Sequence, residues 1–338
     1  MRCARFFDRD GTRAADAFWG DARTQVSERT SERILALGRE FLAAFDAIDR
    51  IELRHIRALP LSVSTITFTA QLSTSHVDLA DVGLGMRILQ DLRGDAVVAD
   101  DDDNNDDDDN DDDTYFVLGP EYGPEADDPA APPPRKRRKK FHNQLPIRTP
   151  AGKAIKLFPN GKIHVTGCAS PIEFLYLVVQ LCRFLPDVSS SVPADLRLDS
   201  LNVELINVNF LVCAPGGAAV KLRPNRLRAE LARRGLIVDF ETERHPGVKV
   251  PVRDAAGAKI ATVMVFQTGS VQVCGAKRPE HLAQALRGVC GHIDAVVGEL
   301  GAEVCVPAPP REQRTTTSKH PFAIVDGYPT TLLNPCVC

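Results

Sequence analysis

The chain has 338 residues, of which 43% are hydrophobic and 25% charged, as in an ordinary soluble protein with one large or two small domains. Its net charge of −4 conceals an uneven distribution of charge along the chain. Residues 100–113 hold eleven aspartates, and without them the remaining residues carry a net charge of +7. Such a basic body is compatible with a polyanion as partner. No apolar run reaches the ~20 residues of a membrane helix, and the N-terminus lacks a signal-peptide core, so we expect an intracellular, soluble protein without a membrane partner.

The first 58 residues are predicted to form a helical N-terminal extension. Apolar residues recur at helical spacing from Ile34 to Ile48, and Ser27 or Thr30 could cap the helix. The pattern predicts a helix that packs either on the body of the protein or on a partner.

A β-strand is predicted next, over residues 62–72, which are rich in β-branched residues. One face of this strand is expected to carry Val63, Thr65, Thr67 and Thr69, and the other Ser64, Ile66, Phe68, Ala70 and Leu72. A short helical stretch is predicted over residues 76–89.

Residues 95–140 are acidic, then rich in proline, then basic, which predicts a disordered insertion. Its aspartate run either shields a basic face by imitating DNA phosphate or is simply solvated. The basic run at residues 135–140 is either a nuclear-localisation patch or DNA-binding arm, or a counterweight to the aspartates.

One strand-like phrase occurs twice, as FPNGKIHVTGCA from Phe158 and as FQTGSVQVCGAK from Phe266. Around each copy the pattern predicts a strand, a helix, several strands and a long helix. The sequence therefore contains an internal duplication. We assign residues 59–186 to repeat 1, residues 187–301 to repeat 2, and residues 302–338 to a C-terminal tail.

The doubled phrase, together with FETERHPGVKV from residue 240, resembles the TATA-box-binding protein (TBP) family, and in particular divergent members such as those of large DNA viruses. The resemblance implies an α+β fold: a saddle of two pseudo-symmetric repeats with a curved, ten-stranded antiparallel sheet. Helices would cover the convex face, and duplex DNA would lie under the concave face.

The alternation within the doubled phrase agrees with a sheet that has one covered face. Ile163 and Val165 are predicted to point inward, whereas His164 and Thr166 point outward; Gln272 and Cys274 are their outward counterparts in repeat 2. In the first strand of repeat 2, Asn207, Asn209 and Leu211 are predicted to point outward. A polar open face suits the acceptor-lined minor groove of DNA.

The resemblance also implies roles for individual residues. Phe158 and Phe266 would each wedge between base steps, with Phe141 and His245 as their partners. Asn207, or Asn209 in a shifted register, would lie at the groove centre, and its counterpart in repeat 1 would be Leu61. Lys162 is replaced by Ser270 in repeat 2. The complete predicted DNA-binding set is Phe141, Phe158, Phe266, His245, Asn207, Asn209, Val63, Thr65, Lys162, His164, Thr166, Gln272 and Cys274.

Alternative roles remain open for several of these residues. Phe158 and Phe266 could be core aromatics at strand ends, His245 a surface-loop histidine, and the two asparagines solvent-facing strand residues. Five arginines, Arg223, Arg226, Arg228, Arg233 and Arg234, lie on a predicted helix of the convex side. They could meet a transcription factor or form a plain charged face.

The sequence predicts neither an enzyme nor a cofactor. It contains no G-x-S-x-G, P-loop, H-E-x-x-H or dinucleotide fingerprint, and its eight histidines and nine cysteines show no metal-ligand spacing. A Cys–His pair formed only in three dimensions is the alternative. The cysteines are expected to be mostly buried thiols.

The function that the resemblance implies is binding and bending of A·T-rich DNA in transcription initiation, in the nucleus or a viral factory. The partners would be DNA, a TFIIB-like initiation factor and RNA polymerase machinery. The alternative is a saddle that has lost DNA binding and serves as a protein-interaction or virion-associated scaffold. Leu61, His245 and Ser270 favour that alternative.

Overall fold

The computed structural model describes residues 24–93, 116–119, 143–149, 152–241, 243 and 245–308. Among these residues the elements, in chain order, are α1 (Glu28–Asp49), β1 (Arg57–Leu72), α2 (Leu79–Arg93), β2 (Val117–Leu118), β3 (Leu145–Arg148), β4 (Ala154–Leu157), β5 (Lys162–Cys168), α3 (Pro171–Val188), β6 (Leu198–Cys213), β7 (Val220–Leu222), α4 (Pro224–Arg233), β8 (Gly247–Arg253), β9 (Lys259–Phe266), β10 (Ser270–Ala276), α5 (Pro279–Leu300) and β11 (Cys305–Pro307).

Nine of these strands form one antiparallel sheet in the order β2-β3-β4-β5-β1-β6-β10-β9-β8. Strands β2–β5 and β1 lie on one side of its centre, and β6 with β8–β10 on the other. The sheet is curved, and with its helices the protein has the α+β saddle architecture predicted from the sequence. Strands β7 and β11 form a separate two-stranded sheet.

The two long central strands pair with an approximate two-fold symmetry. Ile66 of β1 lies opposite Ile206 of β6, which is 140 residues later in the chain. The same interval of 140 residues relates the pairs on either side. Adding 140 to the β1 residue of a pair and subtracting 140 from its β6 residue turns the pair 62/209 into 202/69, 63/208 into 203/68, and 65/207 into 205/67. The pseudo-two-fold axis therefore passes through the Ile66–Ile206 pair.

The doubled phrase forms the same hairpin turn in both repeats. The N–H of Gly161 donates to the carbonyl of Phe158 at 3.0 Å, and the N–H of Gly269 donates to the carbonyl of Phe266 at 3.0 Å. Both glycines have a positive φ, 73° and 79°, which a residue with a Cβ adopts only with strain. Each glycine carbonyl then accepts from a central strand, at Leu72 or Val212. The turn glycines thus attach each hairpin to its central strand.

The hydrophobic core lies between the convex face of the sheet and the helices. Helix α3 packs on β5 and β6, and α5 packs on β8, β9 and β10. Phe68 of β1 stacks on Phe174 of α3 with ring centroids 4.2 Å apart. The Ser170 hydroxyl accepts from the N–H of Glu173 at 3.1 Å and so caps α3, as the Ser-Pro sequence at its start predicts.

The predicted N-terminal helix is present as α1 and packs on the body of the protein. It contacts α5, α3 and β6 through Ile34, Leu37 and Phe41. Thr30 donates from its hydroxyl to the carbonyl of Asp199 at 2.5 Å, which attaches the start of α1 to β6. No helix within the described ranges is long and apolar enough to span a membrane.

The structure corrects three details of the predicted sheet. The tenth strand is reduced, in the described part of the chain, to the isolated bridge between Asp239 and Lys249. Ser64 is an extra residue in β1, so the alternation breaks there and Val63 faces the core beside Val208. Leu61 is not the counterpart of Asn207, because the register of both repeats assigns that position to Thr67.

The start of β1 is held by one carboxylate of α5. Oδ1 of Asp294 accepts from the N–H groups of Arg54, His55 and Ile56 at 3.0, 2.7 and 2.9 Å. Three consecutive N–H groups aimed at one oxygen make a compact anion-binding turn. This contact joins the end of the N-terminal extension, directly before β1, to the last helix of repeat 2.

We predict that Asp294→Ala lowers the free energy of unfolding by about 1–2 kcal/mol, because three donors lose a charged acceptor and water replaces it only in part. Asp294→Asn keeps a neutral acceptor oxygen and should cost clearly less. Urea unfolding followed by circular dichroism measures both variants. Equal losses for Ala and Asn would show that the three hydrogen bonds contribute little.

A second prediction concerns the hairpin turn of repeat 1. Gly161→Ala places a Cβ against the backbone carbonyl oxygen of Thr74, in addition to the ~1–2 kcal/mol cost of a positive φ. Gly257 is the matched control, since it closes a similar turn at φ 82° with open space around it. Gly161→Ala should therefore lower the urea midpoint further than Gly257→Ala, and equal shifts would contradict the predicted overlap.

Candidate nucleic-acid interface

The face of the sheet opposite the helices is here called the open face. Its members either alternate along a strand with buried core residues or pair across strands with a residue that does, since paired residues point to the same face of the sheet. They are Ser62, Thr65, Thr67, Thr69, Lys156, His164, Thr166, Asn202, Leu205, Asn207, Asn209, Leu211, Lys249, Thr262, Met264, Gln272 and Cys274, and a bulge in β6 adds Glu204 beside Thr69. The predicted outward positions of the doubled phrase and of β6 are confirmed.

The centre of the open face is a polar group on either side of the pseudo-two-fold axis. Oδ1 of Asn207 accepts from the N–H of Gly275 at 3.0 Å, and the Thr65 hydroxyl accepts from the N–H of Gly167 at 3.1 Å. Both glycines have a positive φ and lie in bulges where the doubled phrase leaves regular pairing. The second glycine of the phrase therefore places a side-chain acceptor at the sheet centre.

Two symmetry-related rows of side chains run outward across the open face. In repeat 2 the row is Ser62, Asn209, Gln272, Met264 and Lys249. In repeat 1 it is Asn202, Thr69, His164 and Lys156. Each row ends in a lysine near the outer strands, while the middle is mostly neutral and polar. The predicted residues Asn209, Gln272 and His164 lie within these rows.

The environment of His164 favours its neutral form. Burial lowers the pKa of its imidazole, and the charge of neighbouring Lys156 lowers it further, while Glu204 acts in the opposite direction. The side chain can therefore offer one N–H donor and one nitrogen acceptor to a ligand on the open face.

The outer end of repeat 2 carries an aromatic pair. The rings of His245 and Phe266 lie 5.7 Å apart between centroids, tilted by 46°. The N–H of Gly247 donates to Nδ1 of His245 at 3.0 Å, which leaves the ring proton on Nε2. Gly247 itself pairs with Phe266 across β8 and β9, and a Cβ there would meet both rings. The structure thus brings together the two residues predicted as partners in repeat 2.

The outer end of repeat 1 carries Phe158, half-buried at the turn between β4 and β5. Its predicted partner Phe141 lies outside the described residues, as do both charged runs of the insertion. Lys162 is exposed and pairs with Gln71, at the position where repeat 2 has Ser270 paired with Leu211. The strand pairing therefore confirms that Ser270 of repeat 2 occupies the position that Lys162 occupies in repeat 1.

Sequence reasoning missed three charged residues of the open face. Lys156 and Lys249 alternate with buried neighbours in β4 and β8, so a period-two reading of these strands could have found them. Glu204 is exposed beside Thr69 because a bulge in β6 shifts it onto this face. No sequence signal announces that bulge.

The convex side shows that three of the five predicted arginines are already paired. Arg226 contacts Glu303 at 3.0 Å, Arg233 contacts Glu230 at 2.7 Å, and Arg234 contacts Glu299. The Arg233–Glu230 pair lies within α4, whereas Arg234 joins the end of α4 to α5 and Arg226 joins α4 to the turn that follows α5. The arginines therefore act at least partly within the fold.

The cysteines that the structure describes are largely buried, as predicted. Burial raises the pKa of the Cys168, Cys182 and Cys290 thiols to about 12, so they are poor nucleophiles. Cys274 on the open face and Cys305 in β11 are only half-buried, and burial raises their pKa as well. Within the described ranges, no group of three His, Cys, Asp or Glu side chains could hold a metal ion.

Part of the chain is similar to a known protein family. Residues 206–295 match the family model described as transcription factor TFIID, or TATA-binding protein, TBP. Among solved structures, TBP of Methanococcus jannaschii is similar at 14% identity and a TM-score of 0.42, covering 70% of this chain and 99% of its own. A search of curated protein sequences gave no match. The matched segment runs from the middle of β6 to most of α5 in repeat 2, so this part of the chain is similar to the TATA-binding protein family model.

Proposed function

We propose that this protein binds A·T-rich duplex DNA on its open face, through the minor groove, and bends it. The observation that carries the proposal is the aromatic pair Phe266–His245 at one end of a two-fold polar face, with Phe158 at the equivalent end. Two wedges at symmetric positions can kink a duplex at two base steps. We propose no catalytic role for the open face.

The chemistry of the open face supports minor-groove binding. The groove over A·T pairs presents only acceptor atoms, adenine N3 and thymine O2. Asn209 and Gln272 each carry an amide donor near the centre of repeat 2, and Thr69 and His164 stand at the equivalent places in repeat 1. Side chains of this kind contact the groove floor without demanding a particular order of A and T.

The charges at the rim supply affinity without sequence information. Lys156 and Lys249 lie toward the outer strands and Lys162 at the start of β5, and in the proposed complex the phosphate backbones would flank a widened groove there. Each neutralised phosphate releases counterions and adds about −0.9 to the slope of log affinity against log salt. Repeat 2 lacks the lysine that Lys162 provides in repeat 1, so we expect weaker backbone contact there.

The biological setting proposed for this activity is transcription initiation. The match of repeat 2 to the TBP family supports it, since that family model is described as a transcription factor. Partners would be a TFIIB-like factor and RNA polymerase machinery. The protein would work where its templates lie, in the nucleus or, for a viral member, the viral factory.

A protein-interaction scaffold is the second candidate, and one observation favours it. Helix α2 exposes Leu84, Ile88 and Leu92 at four-residue spacing, with 57%, 51% and 79% of each residue accessible. A stripe of this kind is typical of a protein-docking surface. A scaffold that has lost DNA binding would bind all duplexes alike and bend none.

We predict that the protein bends a doubly labelled A·T-rich duplex, measured by fluorescence energy transfer, more strongly than a G·C-rich one. The double variant Phe158→Ala, Phe266→Ala should lose the bend and about tenfold or more in affinity, because stacking on a base contributes roughly 1–3 kcal/mol. Leu92→Ala removes an equally apolar side chain from α2 and serves as the matched control.

Three outcomes of this assay separate the candidates. Bending that is lost in the double variant and kept in the control supports the wedge mechanism. Bending that survives in both would contradict the wedges but keep DNA binding. The absence of bending by the unchanged protein at low salt would reject the proposed function in favour of the scaffold.

A footprint on two cysteines tests the position of DNA independently. Cys274 and Cys305 are similarly buried thiols, but only Cys274 lies on the open face. Saturating DNA should slow alkylation of Cys274 roughly tenfold or more, because only the free fraction reacts, and leave Cys305 unchanged. Peptide mapping by mass spectrometry gives both rates. Equal protection of the two, or none, would place the DNA elsewhere.

A further inference from the structure

Among the residues that the structure describes, one carboxylate, that of Glu204, stands on the open face close to its centre. Glu204 belongs to β6, two residues from Ile206 on the pseudo-two-fold axis. The Thr69 hydroxyl donates to Oε1 of Glu204 at 2.6 Å, and Thr69 also pairs with His164. Since Phe68 and Ala70 on either side of Thr69 are buried in the core, Thr69 and the carboxylate it holds point away from the helices.

The charge of Glu204 is not cancelled by its surroundings. No cation of the described chain lies within ion-pair distance of its carboxylate. Burial and the charge of Lys156 lower the pKa of neighbouring His164, which disfavours its charged form. The hydroxyl of Thr69 fixes one carboxylate oxygen and leaves the other exposed to solvent, or to a ligand on the open face.

The two halves of the open face differ at this position. The repeat interval of 140 residues maps Glu204 onto Ser64, which is also the extra residue of a bulge. The Ser64 hydroxyl donates to the backbone carbonyl of Asn207 at 3.1 Å. Glu204 therefore presents an anionic acceptor beside the strands of repeat 1, whereas Ser64 presents a neutral hydroxyl beside the strands of repeat 2.

A carboxylate on the floor of the minor groove has one favourable base partner. Over A·T pairs it faces only the acceptors adenine N3 and thymine O2, which repel it. A G·C pair adds the N2 amino group of guanine, the one base-edge donor in that groove. A hydrogen bond between this donor and a charged acceptor is stronger than a neutral one.

We propose that Glu204 reads the N2 amino group of a guanine in the half of the DNA site that lies under repeat 1. The protein then recognises a composite site, with A·T pairs under repeat 2 and a G·C pair at one position under repeat 1. Because only one half carries the carboxylate, binding has a fixed direction on the duplex. This inference rests on the proposed minor-groove function.

The test uses an A·T duplex in which each position in turn is replaced by G·C or by inosine·C. Inosine lacks the N2 amino group and is otherwise guanine, so the ratio of the two affinities isolates that group. Fluorescence bend titration gives the affinity of the full chain and of Glu204→Ala and Ser64→Ala. For the unchanged protein we expect about a tenfold preference for G·C over inosine·C at a position in one half only.

The expected variant results complete the test. Glu204→Ala should bring that ratio to about one and bind the all-A·T duplex more tightly, whereas Ser64→Ala should leave the ratio intact. A ratio of one or less at every position in the unchanged protein, or a preference that survives Glu204→Ala, overturns the role of Glu204 while A·T bending still stands. If the unchanged protein bends none of these duplexes, the proposed function fails and the inference falls with it.

Discussion

The pairing of β1 with β6 is the contact on which the saddle depends. It joins the two repeats along sixteen-residue strands and fixes the two-fold axis at Ile66 and Ile206. Because side chains alternate along a strand, this register decides which residues of both repeats face the helices and which stay open. A shift of the β1–β6 register by one residue would turn Val208 to the open face and would bury Asn207 and the other polar residues of that face. The same pairing therefore specifies the core and the proposed DNA surface together.

The duplication, the hairpins and the sidedness of β5, β6 and β10 were predictable from the sequence. Period-two alternation and paired glycines are local signals, and they extend over both copies of the phrase. Val63 and Glu204 were not predictable, because each depends on a bulge, and a bulge exchanges the two faces beyond it. Leu61 was misassigned for the same reason: sequence spacing does not count the extra residues that move the counterpart of Asn207 to Thr67.

The aromatic ends of the site illustrate what a duplication permits. His245 keeps a planar ring beside Phe266, and the N–H of Gly247 holds its Nδ1 as an acceptor. A ring fixed in this way can stack on a base, and its Nε2–H adds a donor that a phenylalanine lacks. The substitution therefore trades apolar contact for polarity and keeps a planar ring beside Phe266.

Two symmetric halves bind a two-fold duplex equally well in either direction, so a fixed direction requires a difference between them. In the proposed complex, the exchange of Lys162 for Ser270 would change contacts with phosphates, which are the same on both strands and carry no base identity. Glu204 and Ser64 would differ at the groove floor of that complex, where bases can be told apart. The backbone can stay symmetric because the difference between the halves is confined to the charge of two side chains at corresponding bulges. A change confined to bulged positions leaves the core register at Ile66 and Ile206 untouched, which allows such a difference without cost to the fold.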